Sequence, residues 1–534
     1  MADLKSKIIL CKGINLDKEY KNVLSYSESQ MVSLCQSKAI ASASDYQFIR
    51  EHDSIYTNFT YSQCLQANYI AFQNKDYSNK WFFAFIDEVI YQGEENTEIK
   101  FTVDSWSTWF DYWTKKTCYV IREHTNDDTV GKNTVHENID TGKFVNNSVE
   151  KFYDTEQGGF DEMCYFLQAT QDADGGSFLE PTTDYGGIPF PYGTYATPSF
   201  HYLKYTLELY QQNYGQNMGD VIYGCYIVPK AIVQNLPDTS ETPVHLLWEG
   251  QSTPTYLLQT ITKPTTVDGY TPKNKKLLTG QFCCLNVSNN SGRINTYYYE
   301  LFNEIDEYPN QCLFNVSGVP TVGGSIKCVP NNYKQKNETG NEDEAIYAGK
   351  FPTLAWSDNA YINWLTQQSV NNTAISLSNT ASAVGQIGLG VLTGNPASIG
   401  TGSLSLLSEA MRSGEQTEIV PSTVRGNTNC GDINTCDGTN TFYFMKASVT
   451  AEFAKRIDDY LSRYGYKTLE LKLPNITGRT YWNYIEIAQS EEIGTGDVPP
   501  TYMDEINNAC RKGVTIWHNH ANVGNFALNN TIVT

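Results

Sequence analysis

Short aromatic or β-branched runs, separated by polar turns, make up the start of the chain. Residues 8–14 read as an opening strand, followed by runs at 46–49, 55–61, 68–72, 81–90 and 98–103. Turns such as Asn74-Lys75-Asp76 and Gly93-Glu94-Glu95 divide them. In the last run Ile99, Phe101 and Val103 alternate with polar residues, the period of a strand buried on one face. This rhythm predicts a small antiparallel sheet or barrel. One helix is expected over 29–43, where Met31, Leu34, Cys35 and Ala39 fall near helical spacing. Residues 105–113 form a Trp-rich turn or short helix.

From about 150 to 350 the pattern is one of strands and loops. VIYGCYIV at 221–228 reads as a buried strand closed by Pro229, and 281–287 pairs with 294–301 as a hairpin around SNNSGR. Residues 331–344 form a polar, charged loop. Toward the C-terminus, strands at 441–446, 469–473, 481–488 and 513–517 alternate with helices at 450–464 and 502–511. On the first of these helices Phe453, Ile457, Tyr460, Leu461 and Tyr464 share a face, and Gly465 occupies the stop position. Asp458-Asp459 reads as facing solvent. No internal repeat is present.

One stretch departs from all of this. Residues 359–408 contain no Asp, Glu, Lys, Arg or His, in a chain that is 18% charged. Charge returns at Glu409, Arg412, Glu415 and Glu418. A first arm, 374–392, carries Ile375, Leu377, Val384, Ile387, Leu389, Val391 and Leu392. If helical it would be about 28 Å long, close to the roughly 30 Å hydrocarbon thickness of a bilayer. Gly394, Asn395 and Pro396 form a turn, and a second arm, 397–411, carries Ile399, Leu404, Leu406, Leu407 and Met411. A segment so free of charge suits a place where charge cannot be solvated. Its glycines, serines and threonines keep it from being a constitutive anchor. The residues leave three readings open: conditional membrane insertion, a contact buried against a neighbouring subunit, or a linker.

Composition narrows the field. The 534 residues are long enough for several domains, and 37 Tyr, 23 Phe and 9 Trp suit pleated surfaces. A net charge of −21 argues against binding nucleic acid through phosphates, although an acidic wall lets DNA pass without sticking. The start, MADLKSKIILCKG, lacks an apolar core of signal-peptide length, and no run of eighteen apolar residues predicts an ordinary transmembrane helix. Thirteen scattered cysteines fit synthesis in a reducing cytoplasm.

Candidate chemistry is sparse. His124, Asp127, Asp128 and His136 could be metal ligands or a turn-forming loop whose Asn and Asp bond their own backbone. Cys430 and Cys436 with His518 and His520 make a nominal zinc set with loose spacing; the alternative is ordinary loop or surface residues. Cys283 and Cys284 could form a vicinal disulfide or be small buried residues. No phosphate loop, dinucleotide glycine pattern, Gly-x-Ser-x-Gly elbow or His-Glu-x-x-His occurs, and no catalytic residue, metal or cofactor is assigned. Paired carboxylates of a glycosidase stay open, since sequence does not give their separation.

A set of motifs then gives a resemblance. These are Asn79-Lys80-Trp81-Phe82-Phe83-Ala84-Phe85-Ile86, Arg122-Glu123-His124, Thr134-Val135-His136-Glu137-Asn138 and Gly269-Tyr270-Thr271-Pro272-Lys273-Asn274. Further along stand Asn363-Trp364-Leu365, Val424-Arg425-Gly426, Leu473-Pro474-Asn475-Ile476-Thr477-Gly478-Arg479, Trp482-Asn483-Tyr484 and Gly513-Val514-Thr515-Ile516-Trp517-His518. Together they resemble the distal tail tube, or tail knob, proteins of short-tailed phages related to Bacillus phage phi-29. At His136 the family more often carries Pro, which affects a turn only.

The resemblance implies a non-enzymatic virion protein of the tail tip, made in the host cytoplasm and assembled as a homo-hexamer with other tail proteins. Its expected fold is a β-rich, multidomain α+β chain, with antiparallel tube or hub-like domains forming a ring around a DNA channel. A long hydrophobic loop would plug the lumen and enter the host membrane on genome ejection. The expected division is 1–145, a β-rich tube domain; 146–357, a middle β-rich region; 358–422, the loop; and 423–534, an α+β segment completing the tube. Phage DNA would pass through without sequence-specific binding. A wall-degrading enzyme and a receptor-binding module are the alternative readings.

Overall fold

A computed structural model describes residues 5–49, 53–74, 78–152, 162–175, 184–185, 188–189, 194–215, 220–233, 257–318, 325–334, 341–350, 353–356 and 441–533. The chain divides into two compact units, each discontinuous in sequence. Unit 1 contains Met1–Lys143, Gly269–Gln281 and Val449–Thr534; unit 2 contains Phe144–Asp268 and Phe282–Ser448.

Unit 1 begins with the barrel that the alternating pattern anticipates. Lys5–Cys11 pairs with both Ala39–Ile49 and Tyr69–Asn74, and Ser54–Thr57, Asn96–Val103 and Lys80–Gly93 close the circuit, every pair antiparallel. The two-residue side-chain period sends alternate residues into different cores. Ile8, Leu10, Phe72, Phe82, Ile99 and Phe101 pack in one cluster. Their neighbours Ile9, Cys11, Tyr69, Ala71, Phe83 and Phe85 pack in another, with Met31, Cys35, Trp482 and Trp517. In the first, Phe72 meets Phe101 edge-on at 5.2 Å and stacks on Phe82 at 5.6 Å. Such ring pairs contribute about 0.5–1.5 kcal/mol each beyond burial.

The expected helix at 29–43 is shorter than its spacing suggested. It spans Glu28–Ser37 behind a capping box in which Ser27 accepts from the Gln30 N–H and Gln30 answers the Ser27 N–H. Ala39 onward is barrel strand, with Ala39 opposite Cys11 and Ala41 opposite Leu10. The small side chains that suit a helix here belong to a closely packed strand. Asp104 caps Ser105–Trp109, the short Trp-rich helix. A second sheet has the order Asn22–Leu24, Val514–Trp517, Trp482–Ile487, Cys118–Glu123, Tyr466–Lys472, with only the first pair parallel.

Unit 2 is built from four-stranded antiparallel sheets. One sheet orders Phe144–Lys151, Tyr443–Val449, Cys283–Ser288 and Ile294–Tyr297; another orders Leu257–Thr262, Gln311–Gly318, Ser325–Pro330 and Ile346–Lys350. Phe314, Tyr297, Leu285, Phe444 and Cys312 share their core. The hairpin around SNNSGR forms as expected, with Leu285 opposite Tyr297, and Asn290 and Gly292 take the positive φ angles that the turn demands. The third sheet orders Thr194–Thr197, Met163–Ala169, Ile222–Pro229 and Thr353–Trp356.

A helix at Phe200–Tyr214 corrects the reading of this region as strands and loops alone. It buries Leu203, Thr206 and Tyr210, spaced three and four residues apart. Its tyrosines and phenylalanine carry strand propensity, and packing on Leu167, Tyr195 and Cys225 overrides it. Cys283 and Cys284 are free, buried thiols, so the small-residue reading holds and the vicinal disulfide does not.

Candidate functional site

The charge-free stretch lies outside the described residues. So do its apolar positions Ile375, Leu377, Val384, Ile387, Leu389, Val391, Leu392, Ile399, Leu404, Leu406 and Leu407, its turn Gly394, Asn395 and Pro396, and the cysteines Cys430 and Cys436. The described chain stops at strand Thr353–Trp356 and resumes just before strand Tyr443–Val449. Among the described strands Thr353–Trp356 is at the edge of its sheet, and Tyr443–Val449 is central in another. Among the described residues no helix is long and apolar enough to cross a membrane.

Within unit 1 the sequence motifs converge on a buried polar clamp. At its centre is Glu137, whose side chain is fully buried. One carboxylate oxygen accepts from Lys276 Nζ at 2.6 Å and from the Lys467 N–H at 2.9 Å; the other accepts from Arg122 Nη2. The Glu137 backbone N–H donates to Gln281 Oε1 at 2.8 Å, and Gln281 Nε2 returns a bond to the Glu137 carbonyl at 2.7 Å. Burial pushes the carboxyl upward, but the Lys276 and Arg122 charges outweigh it and hold Glu137 below the usual range. Burial pulls the Lys276 ammonium down in spite of Glu137. With two cations facing one carboxylate, the ionised form of Glu137 is the one the site is built for.

Asp458 closes a second part of the clamp, and it corrects the expectation that Asp458-Asp459 faces water. Asp459 does; Asp458 is fully buried. Its Oδ1 accepts from the Asn274 N–H at 3.0 Å and Asn274 Nδ2 at 2.7 Å, and its Oδ2 from Tyr270 Oη at 2.8 Å and the Lys273 N–H at 2.7 Å. Gly269–Asn274 is thus gripped by one carboxylate on helix Ala451–Tyr464. The missed signal was positional: Asp458 stands between Ile457 and Leu461, on the face the helix buries. Thr450 caps this helix, and Gly465 ends it at φ +72. A Cβ at Gly465 would lie 2.2 Å from the Glu123 carbonyl oxygen, so only glycine fits.

The polar loop after Cys118–Glu123 is a fastening, and its turn-forming reading is borne out at Asp127, whose Oδ1 accepts from the Thr129 N–H at 2.9 Å. Asp128 is tied further away, accepting from Tyr466 Oη and, at 3.1 Å, the Lys275 N–H. His124 is buried, with Nε2 facing the Ser462 carbonyl at 3.1 Å and Nδ1 accepting the Tyr484 N–H at 2.8 Å. These partners fix the neutral tautomer protonated on Nε2. Burial, then the Arg479 and Arg122 charges, push His124 down to about 3.

His518 and His520 are also drawn inward, contrary to the surface reading. His518 Nδ1 meets Ser25 Oγ at 2.9 Å and Nε2 meets Asn483 Oδ1 at 3.0 Å, while His520 Nε2 accepts the Asn15 N–H at 3.3 Å. No group of three or more His, Cys, Asp or Glu able to hold a metal occurs among the described residues. The clamp binds chain to chain, tying all three segments of unit 1 together, and each of its polar groups has a structural partner to hold.

Comparisons with known proteins cover most of the chain. Residues 4–114, the barrel region, match the N-terminal family of caudoviral major tail proteins. The tail knob protein gp9 of Bacillus phage phi29 is 22% identical over 547 residues, covering 87% of this chain and 88% of that protein. Its counterpart in Bacillus phage PZA is 23% identical, covering 91% of each. The structure of the bacteriophage C1 tail knob protein gp12 superimposes with a TM-score of 0.63 at 15% identity, over 99% of this chain and all of that one, which shows a shared fold. Residues 251–531 match the family of the C-terminal domain of the phi29 tail knob protein gp9, and the chain, a structural protein of the phage tail, belongs to that family.

Proposed function

We propose that this tail protein assembles as a homo-hexameric tube with other tail components, that the tube conducts DNA, and that residues 358–422 plug its lumen and enter the host membrane on genome ejection. The observation that carries the reading is the charge-free run 359–408, set in a chain of net charge −21. A strongly acidic protein that excludes charge from one long segment has reason to keep that segment out of water. Glycine, serine and asparagine within the run suit two successive environments, packed against sister segments and then in lipid. The acidic balance suits a conduit, since like charge keeps the DNA polyanion from adhering to the wall.

The test is deletion of residues 374–410 in the full chain. The deletion variant is expected to retain the oligomeric state of the parent and to lose dye release from liposomes. Leakage equal to that of the parent would remove the membrane role. A parent protein that stays monomeric would remove the tube.

A further inference from the structure

Every described cysteine is buried and free, yet two stand apart from the rest by position. Cys11 ends the first barrel strand, and Cys35 lies in the last turn of helix Glu28–Ser37, which packs on that strand's outer face. Cys11 Sγ donates to the Cys35 carbonyl at 3.4 Å, and the two side chains sit in the same apolar cluster at 0% exposure. The Cys11 side chain, ahead of burial, raises the Cys35 thiol far above its ordinary range. Cys118 and Cys510 also share a cluster, but no hydrogen bond like that from Cys11 Sγ to the Cys35 carbonyl joins them.

We propose that Cys11 and Cys35 are a latent cross-link, reduced while the protein is made in a reducing cytoplasm and closed to a disulfide by a low-molecular-weight disulfide once the virion is outside it. One thiolate attacks a sulfur of oxidised glutathione, forming a mixed disulfide and expelling glutathione. The second thiolate attacks the protein sulfur of that mixed disulfide and expels another glutathione. Two cysteines are oxidised, one glutathione disulfide is reduced to two thiols, and the two protons given up by the cysteines end on those thiols. Burial in the closed state suppresses thiolate formation, so exchange proceeds when the ten-residue helix opens. The bond closes a loop spanning 24 positions and pins the helix to the barrel.

The experiment incubates the full-length reduced protein with oxidised glutathione, blocks remaining thiols with N-ethylmaleimide, and maps linked peptides by mass spectrometry. The expected product is a Cys11–Cys35 peptide pair, two hydrogens lighter, in excess over every other cysteine pair. It should raise the apparent melting temperature by roughly 5–10 °C, reversed by dithiothreitol. Cys35→Ala should lose both the pair and the thermal shift. If the folded parent yields no Cys11–Cys35 pair, or yields it no more often than Cys118–Cys510, the proposal is wrong. That mapping needs no variant, so a misfolded Cys35→Ala protein leaves the decision intact.

Discussion

Replacing Glu137 by Gln is the sharpest probe of the clamp, because the amide keeps the shape and removes the charge. The Glu137 and Lys276 side chains are 0% and 1% exposed, and Arg122 is nearly as deep at 9%. The variant leaves two buried cations without their counter-charge, and removing one partner of a buried ion pair costs roughly 3–5 kcal/mol. Lys276→Met in the same background removes one stranded cation. The double variant should therefore be more stable than the sum of the single effects by about 1.5 kcal/mol or more. Arg122 is relieved less, since its Nη1 also donates to the Gly465 carbonyl at 2.8 Å. Urea unfolding followed by tryptophan fluorescence is the assay. Six of the nine tryptophans, Trp81, Trp106, Trp109, Trp113, Trp482 and Trp517, belong to unit 1, so most of the signal reports on the unit that holds the clamp. The linkage has a definite sign: Glu137 is held below its ordinary value, so its contribution is present above the unfolded carboxylate's pKa and lost as pH falls through the folded one. A cost for Glu137→Gln under about 1 kcal/mol, or strict additivity with Lys276→Met, would refute the reasoning.

Acid titration tests His124 independently. Its folded value of about 3 lies below the ordinary 6.5, so the unfolded chain takes up the proton first and stability falls as pH drops between them. The slope is about 1.4 kcal/mol per pH unit, and His124→Gln should flatten it in an urea series across that window; an unchanged slope would show that His124 is not the group. Asp458→Ala leaves the Tyr270 hydroxyl and the Lys273 and Asn274 N–H groups without their acceptor and should cost about 3 kcal/mol or more in the same unfolding assay. Gly465→Ala meets the Glu123 backbone and should cost about 2 kcal/mol or more, well beyond an ordinary Gly→Ala change at a positive φ.

What the sequence reveals here depends on how local the cause is. The barrel was legible because Ile99, Phe101 and their neighbours obey the two-residue period along each strand, and pairing amplifies a local pattern. Helix Ala451–Tyr464 was legible from its stripe and its glycine stop. Helix Phe200–Tyr214 was hidden because Tyr and Phe favour strands, and only the spacing of Leu203, Thr206 and Tyr210 spoke for a helix. The clamp was hidden for a different reason. Asp458 and Asn274 are 184 positions apart, and a buried carboxylate differs from an exposed one only by partners the primary structure does not place side by side. The motifs Arg122-Glu123-His124, Glu137-Asn138 and Gly269–Asn274 carried the resemblance without disclosing that they touch.

The central claim concerns the charge-free stretch, and adding charge to it is the most direct measurement. Ile387→Asp with Val391→Asp puts two carboxylates four residues apart in the first arm. Each would cost about 2.5–3.5 kcal/mol at the centre of a bilayer. The account predicts that the assembled parent releases dye from liposomes and that the doubly charged variant, with its oligomeric state unchanged, releases at least about 100-fold less. Equal leakage from the two would contradict it.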